Sequence, residues 1–212
     1  MTLEAKNLTF HYPRQRGGPV LEGVNFVLKS GERLGLSAPS GRGKTTLCKL
    51  LAGWERPVRG EVLLDSAPLP GQGFCPVQLL WQHPEEAVDP LLKLRRTLGE
   101  AGPTDPGLLE GLGVREDWLE RYPSELSGGE LQRICIARAL RPELRFLLCD
   151  ELSAMLDLIT QAQIWRFLLR QAEERSLGLL IASHDRALLE RLCTRIISWE
   201  ELSAYSVCPL SV

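Results

Sequence analysis

The stretch GLSAPSGRGKTTL, Gly35 to Leu47, decides the fold. RLGLSA is a short apolar run of the kind a buried strand needs, and KTTLCKLLAGW has helical spacing up to about Gly53. A glycine-rich loop lies between them. A strand, a glycine-rich turn and a helix in this order put unpaired backbone N–H groups at a positive helix end, as a polyphosphate requires. Gly41 and Gly43 allow close backbone approach, Lys44 can reach outer phosphates, and Thr45 can offer its hydroxyl to Mg2+. The pattern G-x-x-x-x-G-K-[ST] is broken at its first glycine, where Ala38 stands. If that position needs a positive φ, the β-carbon costs about 1 kcal/mol and tunes the site without removing it. Taken alone, the loop also reads as a glycine-rich turn beside a solvated lysine.

The surrounding pattern fits an α/β fold. LEAKNLTFHY and VLEGVNFVL alternate apolar and polar residues across the loose PRQRGGP, which predicts an antiparallel pair. EVLLD and VQLLW predict further strands. From Pro84 to about Leu140 only short helical pieces are expected, punctuated by glycine and proline. A parallel-sheet rhythm then resumes: RFLLCDE as a buried strand, ITQAQIWRFLLRQAEER as a long amphipathic helix, LGLLIAS as a strand and RALLERLC as a helix. Two short strands, RIISWE and LSAYSV, are expected to close the chain.

With 212 residues, 44% of them hydrophobic, the chain can bury a substantial core. A formal net charge of −2 gives no global basic field, so no nucleic-acid partner is expected. The six cysteines include no C-x-x-C pair and read as reduced core thiols of a cytosolic protein. No apolar run approaches the roughly 18 residues that span a bilayer, so any membrane role is expected to come through a partner.

RFLLCDE ends in two adjacent carboxylates. In an open parallel sheet they would lie beside the phosphate loop, with Asp150 holding Mg2+ through water and Glu151 acting as general base on the attacking water. Ordinary surface acids at a strand end read equally well for this feature alone. LSGGELQR, Leu126 to Arg133, is more specific, because LSGGE arises by chance in only about one chain of this length in a few thousand. Ser127 with the N–H groups of Gly128 and Gly129 makes a second anion-binding helix end. A plain serine cap accounts for Ser127 and leaves the paired glycines unexplained.

With these motifs in order, the chain resembles the nucleotide-binding subunits of ABC transporters over nearly its whole length. The resemblance implies a P-loop NTPase cassette. It has a mixed or parallel sheet core, an N-terminal antiparallel part and a helical subdomain insertion. In this single ABC ATPase domain a RecA-like core covers about 1–82 and 141–212, and the helical subdomain about 83–140. LSGGE matches the family signature, SAPSGRGKTT its Walker A loop and FLLCDE its Walker B strand. ATP and Mg2+ are the implied cofactors. Ser40, Gly41, Arg42, Gly43, Lys44, Thr45 and Thr46 would hold the nucleotide with Tyr12 on the adenine, and Ser127, Gly128, Gly129 and Asp157 would approach it from a second subunit. Thr45, Asp150 and Gln82 match the metal-contacting positions, and Glu151, His184 and Gln82 the catalytic ones.

By the same resemblance, two such subunits meet head to tail on two membrane permeases. The chain would lie peripherally on the cytoplasmic face of the inner or plasma membrane, with an extracytoplasmic solute-binding protein acting indirectly. VQLLWQHPEEAVDPLLKLRRTLGE is similar to the peptide/opine/nickel uptake branch, in which a heterodimer of ATPase subunits is favoured. The family's usual DEPTSALD reads DELSAMLD here, so Leu152 replaces a proline after Glu151, and Ser153, Ala154 and Met155 also depart. No group assigned to chemistry is lost, and no extra regulatory domain is expected. A soluble ABC ATPase acting on ribosomes or DNA fits poorly, since no second cassette or long heptad run is present. A catalytically weak partner subunit fits less well with Glu151 and His184 retained.

Overall fold

A computed structural model of the chain describes residues 1–13, 18–100, 102–152 and 156–204. Elements run in the order β1 (Thr2–Phe10), β2 (Leu21–Lys29), β3 (Arg33–Ser37), α1 (Lys44–Leu51), β4 (Arg59–Leu64), β5 (Ala67–Pro68) and β6 (Val77–Leu80). There follow α2 (Leu94–Gly99), α3 (Pro106–Gly111), α4 (Gly128–Ala139), β7 (Phe146–Asp150), α5 (Leu158–Arg175), β8 (Gly178–Ser183), α6 (Arg186–Leu192), β9 (Arg195–Ser198) and α7 (Trp199–Ala204). Among the described residues from Pro84 to Ala139, only helices and 3-10 turns occur.

Two sheets form. A four-stranded antiparallel sheet has the order β2-β1-β4-β5, and a five-stranded sheet the order β6-β7-β8-β3-β9. All pairings in the second are parallel. The runs FLLCD and GLLIAS are buried at every residue, as strands covered on both faces must be. Alternate side chains then divide between two cores. Leu147, Cys149, Leu179 and Ile181 join the helical segment, α5 and α6 on one face. Phe146, Leu148, Leu180 and Ala182 join α1 and the antiparallel sheet on the other. Cys48, Cys135 and Cys149 are buried free thiols, as expected, whereas Cys75 and Cys193 are free but only half-buried and Cys208 lies outside the described residues.

The parallel order aligns the carboxyl ends of β6, β7, β8 and β3 along one edge, where open α/β sheets bind ligands. That edge carries the site. Its foundation is a close approach at the other end of the sheet, where Phe146 pairs with Gly178. A β-carbon on Gly178 would lie 2.4 Å from the Phe146 ring and 2.9 Å from the Lys29 carbonyl oxygen, so only glycine fits between them.

The closing strands predicted from sequence need correction. β9 is present, but Trp199–Ala204 is a helix and not part of a second strand. The reason is local. The Ser198 N–H donates to the Glu201 carboxylate at 2.7 Å, and the Glu201 N–H donates to Ser198 Oγ at 3.1 Å. This reciprocal S-x-x-E cap starts a helix where alternation alone reads as a strand. The later residues of LSAYSV lie outside the described residues.

Ala38 also resolves. It is absent from the described non-glycine residues with positive φ, and it is only 3% exposed in the core shared with α1. The chain turns there without the conformation that would demand glycine.

Gly178→Ala is expected to cost about 1–3 kcal/mol through overpacking, read as a lowered melting temperature by circular dichroism. An unchanged melting curve would mean that Phe146 has room to move. Ala38→Gly is expected to lose about 1 kcal/mol in a denaturant titration, because it adds backbone freedom and relieves no strain. A gain in stability would show that the alanine is strained after all.

Candidate functional site

The phosphate loop is built from β3 into α1. Gly43 has φ 107° and ψ 13° and stands at the N-cap of α1 without a side-chain cap. A β-carbon on Gly41 would meet nothing within 4 Å, so the loop is open on that side. Lys44 is only 5% exposed. Its ammonium donates to the carbonyls of Ala38 at 2.7 Å and Pro39 at 3.1 Å and pairs with Glu151 Oε1 at 3.2 Å. Those three contacts match the three donors of a lysine.

The end of β7 supplies the carboxylates. Glu151 has φ 48°, left-handed backbone that costs a non-glycine residue on the order of 1 kcal/mol. Its N–H donates to the Ala182 carbonyl at 3.0 Å, which anchors the turn to β8. Leu152, where the related pattern has proline, is 3% exposed and packs in the core beside α5. A following proline would push Glu151 toward extended backbone. At the end of β8, His184 Nδ1 lies 2.9 and 3.0 Å from the two Glu151 carboxylate oxygens, and its backbone N–H donates to Oε1 at 3.2 Å.

Asp150 is 2% exposed. Thr45 Oγ1 donates to its Oδ2 at 2.5 Å, while Oδ1 is buried with no hydrogen-bond partner. Burial pushes the Asp150 carboxyl above its ordinary pKa, and the Thr45 hydrogen bond pulls it partly back. An orphaned carboxylate oxygen beside a threonine hydroxyl is a donor set that suits a hard divalent cation such as Mg2+.

One pocket is lined by Tyr12, Val20, Ser40, Gly41, Gly43, Lys44, Thr45, Thr46, Gln82, Glu151 and His184. Asp150 lies behind it through Thr45. Tyr12 is braced edge-on against Phe10, with ring centroids 4.8 Å apart, and its hydroxyl lies 3.2 Å from Thr46 Oγ1. Arg42 does not line this pocket and is exposed. Ser127, Gly128, Gly129 and Asp157 line a different cavity, with Trp118, Arg133 and Gln163.

In that second cavity Ser127 forms a capping box with Glu130. The Ser127 N–H donates to the Glu130 carboxylate at 2.8 Å, and the Glu130 N–H donates to Ser127 Oγ at 3.3 Å. Asp157 caps α5, accepting the N–H groups of Ile159 and Thr160 at 3.0 Å each and the Thr160 hydroxyl at 2.6 Å. The Thr160 hydroxyl is the main cause that holds its carboxyl below the usual range. A β-carbon on Gly128 would meet nothing within 4 Å, whereas one on Gly129 would lie 3.2 Å from Thr160. Ser153, Ala154 and Met155 lie outside the described residues. Two neighbours of the phosphate pocket escape a reading by motif, Val20 in its lining and Trp199 behind Gly43.

A family model described as ABC transporter matches residues 21–154, more than half of the chain. The nickel import system ATP-binding protein NikE of Staphylococcus aureus (strain bovine RF122 / ET3-1) is 35% identical over 209 residues, covering 92% of this chain and 85% of the relative. The nickel import ATP-binding protein NikE of Shigella sonnei (strain Ss046) is 32% identical over 222 residues, covering 92% and 82% respectively. Among solved structures, a dimeric ATP-binding cassette in a post-hydrolysis state bound to ADP and Pi matches with a TM-score of 0.79 at 25% identity over 95% of each chain. The chain belongs to the ABC transporter family as its ATP-hydrolysing cassette.

Proposed function

We propose that this chain powers an importer of a small solute, nickel or a related chelate or peptide, by hydrolysing ATP between two cassettes docked on membrane permeases. The observation that carries this reading is the split of the site residues into two groups on one chain. Lys44, Thr45, Gln82, Glu151 and His184 line one pocket, and Ser127, Gly128, Gly129 and Asp157 line another. A ligand in the first pocket gains donors from the second only if another cassette brings its signature face across. The names of the nickel-import relatives support the choice of cargo.

Each side chain has a role that its geometry supports. Glu151, held by His184, takes the proton of the attacking water. Lys44 exchanges its Glu151 contact for the outer phosphates, and that exchange frees the carboxylate for the water. Thr45 and Asp150 would hold Mg2+ with Gln82, and the ion supplies charge neutralisation at the phosphates. Tyr12 offers a ring at the adenine end of the pocket.

Gln82 follows β6, directly ahead of the helix-only stretch. This supports a division into a core of about 1–82 and 141–212 and a helical unit of about 83–140, with Gln82 as the link between ATP and the permease-facing unit. Among the described residues, no helix is long and apolar enough to cross a membrane. Attachment is therefore assigned to permease subunits at the cytoplasmic face, with a second, non-identical cassette and an external binding protein completing the system.

Glu151→Gln is expected to slow phosphate release by about 10²- to 10⁴-fold in the assembled transporter while ATP still binds. Equal turnover by wild type and variant would remove Glu151 from the chemistry. Gly128→Val meets open space, so the lone chain should keep its melting temperature and ATP affinity while ATP-dependent dimerisation, followed by light scattering, is lost. Undiminished dimerisation would defeat the shared-site reading. For cargo, deletion of the gene should abolish accumulation of radioactive nickel, and unchanged nickel uptake with lost peptide uptake would select peptides instead.

A further inference from the structure

Gly43 carries the greatest conformational demand in the phosphate loop, and its left-handed backbone is not secured by a capping side chain on α1. What secures it is packing from outside the loop. A β-carbon on Gly43 would lie 3.0 Å from Val20 Cγ1, 3.2 Å from Trp199 Cη2 and 3.4 Å from Trp199 Cζ2. The indole edge and a valine methyl thus close on the glycine from α7 and from the residue just before β2. Trp199 is 8% exposed and Leu202, three residues on, is 2% exposed, so one face of α7 is buried in the core that contains α1. The reciprocal cap between Ser198 and Glu201 fixes where this helix begins and so where the indole lies.

We infer that Trp199 is a positioning residue for the nucleotide, setting the orientation of Gly43 and hence of the Lys44 and Thr45 amides that open α1. The inference rests on the reading of this pocket as an ATP site. A glycine with φ 107° has neighbouring backbone conformations open to it that no branched side chain excludes. The indole removes the space that those conformations would use. Tyr12 reaches the same turn by a hydrogen bond to Thr46, so the first turn of α1 is held from two sides. Val20 lies on the same side of Gly43 as the indole and also lines the pocket, so the packing that confines the glycine borders the nucleotide space directly.

Two variants of the full chain separate positioning from general support. Trp199→Phe keeps an aromatic in the core but withdraws the ring edge from Gly43. Leu202→Ala removes buried contact from the same helix face without facing Gly43. If the indole positions the loop, Trp199→Phe raises the ATP dissociation constant about fivefold, by calorimetry at a temperature where the variant is fully folded. Leu202→Ala lowers the melting temperature and leaves the dissociation constant within about twofold of wild type. The ring-current shift of the Gly43 resonances in the amide spectrum disappears in Trp199→Phe and persists in Leu202→Ala. Unchanged ATP affinity in Trp199→Phe, or an equal loss in Leu202→Ala, overturns the inference. A wild-type chain that binds no ATP overturns the ATP-site reading and the inference with it.

Discussion

The Glu151 carboxylate lies between the Lys44 ammonium at 3.2 Å and the His184 ring at 2.9 Å, and the site depends on that contact. A lysine only 5% exposed loses most of its hydration, which is tolerable only when carbonyls and an opposite charge replace the water. Ala38 and Pro39 after β3 and Glu151 after β7 supply the replacements. Breaking a buried pair of this kind typically costs about 3–5 kcal/mol, because the remaining charge is left uncompensated. The contact therefore holds the ends of β3, β7 and β8 in one arrangement. A polyphosphate is a ligand that can draw the lysine away without leaving it unpaired.

That arrangement is under local strain, and the strain is confined. Glu151 keeps a left-handed backbone because its N–H is tied to Ala182 and the next side chain, Leu152, is buried. Leu152 is thus more than a missing proline. It anchors the turn by burial, where a proline would restrict the preceding backbone and compete with the conformation that aims Glu151 at Lys44 and His184. The strands behind the turn tolerate this because both faces of the sheet are covered and Gly178 lets β8 close on Phe146.

The parts legible in the sequence were those whose chemistry is carried by adjacent residues. GRGKTT, FLLCDE and LSGGE each contain strand or helix pattern and functional group within one short window, so pattern and chemistry reinforce each other. The parallel sheet was legible for the same reason, since its strands are continuous apolar runs. What escaped depends on contacts distant in the chain. Val20 and Trp199 reach Gly43 from opposite ends of the sequence, and no local pattern marks either. Alternation reads the closing helix as a strand despite its S-x-x-E cap, because so short a segment gives alternation too little length to decide. Ala38 raised a doubt that only its backbone angle and burial could remove.

The signature face shows how a motif can be divided between internal and external demands. The Ser127 hydroxyl accepts the Glu130 N–H and donates to the Glu130 carboxylate at 2.9 Å, so within LSGGE the first polar residue and the last satisfy one another. Gly129 is explained next, since a side chain there would press on Thr160 at the start of α5. Gly128 alone has no such reason, because a β-carbon would enter open space. Glycine at this position therefore keeps the start of α4 open to close approach from outside its own chain, a freedom that no contact within the chain uses.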